Sequence, residues 1–240
     1  MTNTRILRWL LPLLYFIVAT MPASAASLQV RPVLVDVTAP GASSILTLSN
    51  TGAETVNAQV RVFKWTQKNG KDRLTPTRDV VASPPFVKMK PGRTYNLRII
   101  RVSKKPVNGE EAYRLLVDQL PDVKPKGKTT VKFNIRYSIP VFFSQANASR
   151  PSLSWTYANS GKGFVLTARN SGGRRMRIAN LRLKSGTGHS WTISKGLAGY
   201  ALAGSTIKWR QKRRLKGANK GVRVFAKGDY GPISAKAQVR

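Results

Sequence analysis

The sequence contains no cysteine and a single histidine, His189, among 240 residues. The first absence excludes a disulfide framework, a thiolate zinc cluster and a cysteine nucleophile. The second excludes a multi-histidine metal site, and any histidine-based catalysis would rest on one residue. Acids are scarce: 9 Asp plus Glu stand against 42 Lys plus Arg, a formal net charge of +33. Residues 151–240 contain one acid, Asp229, so no paired carboxylates frame an acid–base site there. No phosphate-loop pattern occurs, so an energy-consuming machine is not supported and no cofactor is implied. What is present is 41% hydrophobic content, enough for real cores in one large or two small domains.

The first 25 residues read as a secretory signal. Arg5 and Arg8 supply a positive start, Trp9 to Thr20 is apolar, and Ala23-Ser24-Ala25 gives the small-x-small pattern of a cleavage site. The apolar run is too short for the roughly 20 residues of a membrane span. No later segment is long or apolar enough either. The expectation is an exported mature chain beginning near Ala26, with net charge +31 once Arg5 and Arg8 are gone. A chain without thiols suits an oxidising compartment, where a stray one could mispair.

Beyond the leader, alternating strands are punctuated by turns, and no convincing amphipathic helix is found. Candidate strands cover 27–37, 44–50, 56–65, 94–102, 112–120 and 129–143, with turn signals at Asn69-Gly70, Pro91-Gly92 and Asn108-Gly109. Ser144 to Pro151 is polar and reads as a linker. After it the candidate strands are shorter: 152–157, 163–170, 176–183, 205–209, 222–226 and 233–239. Strands at this spacing predict an all-β chain of two β-sandwich domains, about 26–147 and 148–240.

The segment 129–143 is unusual. Val131, Phe133, Ile135, Tyr137, Ile139, Val141 and Phe143 share one face, and Thr130, Lys132, Asn134, Arg136 and Ser138 begin the other. A typical strand is five or six residues long. A core strand with one polar face is the plain explanation. The sharper one is a strand whose apolar row is partly lent to a client, with backbone pairing giving affinity and alternate side chains giving specificity.

Several blocks in order resemble the periplasmic pilus-assembly chaperones of the chaperone-usher pathway. They are Arg31-Pro32, Leu48-Ser49-Asn50-Thr51-Gly52, Val60 to Trp65, Ser83-Pro84-Pro85 through Pro91-Gly92, and Leu97-Arg98. Tyr113 to Pro121, Arg136 to Phe143 and Gly228-Asp229-Tyr230-Gly231 complete the set. The blocks at 113–118 and 137–140 look more like the branch serving archaic, spore-coat-type fimbriae. The resemblance implies two immunoglobulin-like domains in a boomerang, periplasmic residence, and fimbrial subunits and an outer-membrane usher as partners. It also implies donation of Val131, Phe133, Ile135 and a possible fourth, Tyr137, to an incomplete subunit.

The same resemblance places a cleft Arg on the first strand and a Lys on the donor strand as anchors for the subunit's terminal carboxylate. Arg31 matches the Arg, but Pro140 stands in place of the Lys and has no charge to offer. Arg31, Arg98, Arg114 and Arg136 are therefore all candidates, since a guanidinium grips a carboxylate through two parallel hydrogen bonds. Gln119 stands where a Glu often joins an interdomain ion-pair network, Ser144 falls near the usual Arg, and Asp229 matches the acid of the second domain. The free form has self-association open to it.

Two rival readings come from other classes. Lys208 to Arg223 holds eight cations in sixteen residues. An exported cationic module for acidic polysaccharide, lipid or extracellular DNA is thus the alternative, although export argues against nucleic acid. A β-sandwich hydrolase lacks an acid–base constellation. His189, with no second ligand or triad partner in sight, reads as a surface or turn residue.

Overall fold

The computed structural model describes residues 28–121 and 134–240; the expected leader lies outside them. Among the described residues strands account for nearly all regular structure, with one 3-10 turn at Ala218–Lys220. In the first domain, one sheet has the order β1 (Leu28–Arg31), β3 (Ser43–Asn50), β8 (Thr94–Arg101), β6 (Val80–Ser83). The second sheet runs β2 (Val35–Thr38), β10 (Arg136–Ser144), β9 (Glu110–Leu120), β4 (Val56–Lys68), β5 (Lys71–Pro76), and β7 (Phe86–Met89) pairs with the start of β4. Period-2 alternation explains the stacking. Leu46, Leu48, Leu97 and Ile99 from one sheet meet Val60, Leu115, Val117, Val141 and Phe143 from the other in one buried core.

The expected opening strand is divided. Pro32 has no N–H for a ladder, and the chain leaves the first sheet after Arg31 to rejoin the second at Val35. There β2 runs parallel to the end of β10, with Val35 opposite Val141 and Thr38 opposite Ser144. Among the described residues the β10 edge is therefore covered only from Val141 onward. The expected strand over 129–143 is a described strand only from Arg136; Asn134 and Ile135 precede it, and 122–133 fall outside the described residues. The Asn69-Gly70 signal is a two-residue hairpin with positive φ at both positions, 56° and 80°, matching the twist of β4 and β5.

The second domain comprises β11 (Leu153–Ser160), β12 (Gly163–Asn170), β13 (Met176–Ser185), β14 (Ser190–Thr192), β15 (Leu197–Ala201), β16 (Thr206–Gln211), β17 (Val222–Gly228) and β18 (Gly231–Val239). Their order is β14-β13-β17-β18-β11-β12-β16, with β15 beside β13. Trp155, Tyr157, Phe164 and Leu166 pack against Ile178, Leu181, Leu183 and Val224 in a separate core. A buried Asn secures a loop in each domain: Asn50 Nδ2 donates to the Glu54 carbonyl, and Asn170 Nδ2 to those of Arg174 and Ala201. The chain is thus two immunoglobulin-like sandwiches, the all-β class expected.

Candidate functional site

The alternation that sends Leu115, Val117, Val141 and Phe143 inward turns Ala112, Arg114, Leu116 and Asp118 of β9 to the opposite face. On β10 it turns Ser138, Pro140, Phe142 and Ser144 the same way. A solvated sheet would keep that face polar, yet Trp65, Ala112 and Phe142 are buried together with Tyr200 and Leu202 of the second domain. The Trp65 and Tyr200 rings meet edge-on at 5.5 Å, and each lies 5.9 Å from the Phe142 ring.

Polar contacts hold this aromatic junction on both flanks. Gln67 Nε2 donates to the Tyr200 carbonyl at 2.7 Å, and Leu202 N donates to Gln67 Oε1 at 3.1 Å. Opposite, Arg175 donates to Asp36 at 2.6 Å and to Glu110 at 2.5 Å, with its guanidinium 3.8 Å from the centre of the Phe142 ring. Burial works against the Arg175 charge, but the hydrogen bond to Asp36 and the charges of Glu110 and Asp36 outweigh it, so its pKa is raised. Ser144 donates to Glu110 at 3.0 Å, so this expected network position does join the cluster. Asp229 does not: it accepts from Arg177 within its own domain at 2.8 Å. The interdomain acids are Asp36 and Glu110, on β2 and at the start of β9, the strand ends that abut the second domain.

The four candidate arginines separate clearly. Arg31 and Arg98 are exposed on the first sheet, opposite Thr47 and Ile45. Arg136 is committed to Asp118, which also accepts from Arg61 at 2.6 Å. Burial opposes ionisation of Asp118, yet the Arg136 and Arg61 hydrogen bonds prevail and lower its pKa. Arg114 alone stands on the aromatic face, its guanidinium 3.8 Å from the Trp65 ring centre and 5.8 Å from that of Tyr200. It donates to the Ser138 carbonyl at 3.4 Å, and no carboxylate among the described residues pairs with it. Burial lowers its pKa.

Of the expected donor residues, Val131 and Phe133 lie outside the described residues. Ile135 is half-buried, and its carbonyl accepts from Gln119 N at 2.9 Å. Tyr137 differs from the expectation of a side chain on loan. Its ring packs against the first core and its hydroxyl donates to the Leu28 carbonyl at 2.5 Å. Sequence reasoning gave no role to Phe142, Tyr200, Gln67 or Arg175. One signal was readable, since Trp65 shares parity with Arg61 and Phe63 rather than with Val60. Tyr200 and Gln67 meet only through the packing of one domain on the other.

Among the described residues, these form an open strand edge beside an aromatic shelf that carries a cation free of carboxylate partners. Among the described residues no group of three or more His, Cys, Asp or Glu could hold a metal, and no helix is long and apolar enough to cross a membrane. No curated protein matches the chain. Among solved structures it is similar to a chain of the CsuC-CsuE chaperone-tip adhesion subunit pre-assembly complex from the archaic chaperone-usher Csu pili of Acinetobacter baumannii. That match has 26% identity and a TM-score of 0.71, and covers 90% of this chain and 100% of that one. The YadV chaperone (16%, TM-score 0.63, 88% and 99% covered) and the E. coli chaperone DraB (18%, 0.60, 89% and 97%) share the fold. The model of the pili and flagellar-assembly chaperone family, PapD N-terminal domain, matches residues 27–148, just over half the sequence, and the chain belongs to that family of chaperones.

Proposed function

We propose that the protein is an exported periplasmic chaperone that binds fimbrial subunits by donor-strand complementation and delivers them to an outer-membrane usher. The reading divides the chain into a leader at 1–25, a subunit-binding domain at 26–147 and a second domain at 148–240. The observation that carries it is the open edge of β10. β9 pairs with one side over the whole strand, but β2 takes the other only from Val141, and among the described residues no strand pairs with Arg136 to Pro140 on that side. An exposed edge templates another strand, and a subunit lacking one would complete its ladder here. Val131, Phe133 and Ile135, immediately N-terminal to that edge, would fill the subunit's groove. Large apolar side chains contribute about 1.5–3 kcal/mol each on full burial, so no nucleotide is needed. Tyr137, tied to Leu28, marks the end of the donated row.

Arg114 is the proposed anchor for the subunit's terminal carboxylate. Pro140 occupies the position of the absent donor-strand Lys, and the register sets Arg114 directly opposite Pro140 on the neighbouring strand. The cation is thus kept at the same level of the sheet, one strand over. Co-expression with a cognate subunit tests the reading. Phe133→Asp with Ile135→Asp should abolish the complex while the chaperone stays folded. Undiminished complex would overturn the donor assignment.

A further inference from the structure

The solvent face of β13, β17 and β18 carries a feature that subunit binding does not use. Cross-strand register puts Lys184 opposite Arg223 and Arg223 opposite Lys236; the next row sets Arg182 opposite Phe225 and Phe225 opposite Ser234. Two open grooves lie on this face and share Phe225. One, of about 650 Å³, is lined by Lys184, Lys220, Arg223 and Lys236. The other, of about 460 Å³, is lined by Arg182 and Lys227 among others. Neither groove has an acidic lining residue, and the domain's one acid, Asp229, is held by Arg177. Among the described residues none of these six cations makes an ion pair.

Like charges directly opposite on neighbouring strands destabilise a sheet. Solubility would be served equally by spreading them, so a row three strands wide points to a polyanion that relieves the repulsion. The form of the grooves narrows the class. They are concave, so a flat bilayer would reach only their rims. Cations on this face recur at even residue spacing, Arg182 to Lys184 on β13 and Arg223 to Lys227 on β17. They therefore stand at multiples of about 6.8 Å, the repeat of alternate side chains on any extended strand. We propose that this face binds an extended acidic polypeptide segment with Asp or Glu at alternate positions, lying along the grooves over Phe225.

The test uses the full chaperone and three labelled probes: an alternating Glu-Thr peptide, oligogalacturonate, and phosphatidylglycerol vesicles. The peptide should bind at low salt and weaken as salt screens the charges. Lys184→Gln, Arg223→Gln and Lys236→Gln together should weaken it about tenfold or more without lowering the melting temperature, since they remove repulsion. Lys162→Gln, Arg210→Gln and Lys212→Gln, at other exposed positions of the domain, should leave affinity within about twofold. The Phe133→Asp and Ile135→Asp chaperone should bind the peptide unchanged, which separates this surface from the subunit site. Absence of peptide binding, equal losses in both triple variants, or binding of oligogalacturonate or vesicles without peptide would each overturn the proposal.

Discussion

The guanidinium carbon of Arg114 lies 3.8 Å from the centre of the Trp65 ring, and no carboxylate among the described residues pairs with it. Its neighbouring cations at the junction are neutralised: Arg175 and Arg174 each face Asp36 and Glu110. Stacking on an aromatic face contributes about 0.5–1 kcal/mol, which positions the charge without satisfying its hydrogen bonds.

Arg114→Ala should therefore leave the chaperone folded and weaken capture of a subunit with a free terminal carboxylate. Loss of a charged hydrogen-bonding partner corresponds to about 1.5–3 kcal/mol, or roughly ten- to a hundredfold in affinity. Arg114→Lys should recover only part, because a point charge replaces a planar fork. Titration calorimetry with wild-type and carboxy-amidated subunit tails measures both. If Arg114→Ala binds the two tails as the wild type does, the anchor lies elsewhere.

The fold was legible because the first core obeys strict alternation: the parity of Val60, Leu115, Val117, Val141 and Phe143 predicts their burial. Short strands such as Lys71–Pro76 and Ser190–Thr192 were not, since as polar edge strands they bury too little to leave a hydrophobic pattern. The site was half legible. Arg114 was among four candidates that composition cannot rank; what distinguishes it is which guanidinium finds a carboxylate, and Asp118 lies within reach of Arg136 and Arg61 but not of Arg114. Asp229 pairs with Arg177 for the same kind of reason. Its partner is set by the β17–β18 turn beside Arg177, a proximity no local pattern encodes.

Gln67 ties β4 to the backbone of Tyr200 and Leu202 with one donated and one accepted bond. Gln67→Ala removes both and should destabilise domain docking by about 1–3 kcal/mol. Gln67→Glu keeps the acceptor but aims an anionic oxygen at the Tyr200 carbonyl, so it should be no better. Small-angle scattering and the fluorescence of Trp65, which packs against Tyr200, would report the loosened junction. An unchanged scattering profile would show that the aromatic cluster suffices.

The Arg175 side chain is 8% exposed and that of Glu110 1%, so their pair sits where an orphaned charge is expensive. Arg175→Met should destabilise by about 3–5 kcal/mol, because Glu110 loses its close cation and keeps only the backbone N–H of residue 175, the Ser144 hydroxyl and the more distant Arg174. Adding Glu110→Gln should recover much of the loss. Chemical denaturation of the single and double variants tests this, and additive losses would mean that the two side chains do not act as a pair.

Asp118 offers a pH-resolved test at the entrance to β10. Its native pKa lies below the ordinary carboxylate value, because the Arg136 and Arg61 hydrogen bonds outweigh burial. Stability from the pairing is therefore complete above the unfolded carboxylate pKa of about 3.9. It is lost as pH falls through the lower native value. Arg136 and Arg61 are 62% and 43% exposed, so solvent screening holds the contribution to about 1 kcal/mol. Asp118→Asn should be less stable than wild type at neutral pH, the gap should close in acid, and added salt should narrow it at neutral pH. The next residue, Gln119, donates its N–H to the Ile135 carbonyl, so the variant should also speed hydrogen exchange at that amide. A neutral-pH gap that persists in acid would mean that Asp118 acts through packing; faster exchange confined to Gln119 would show the ion pair setting where β10 begins to pair.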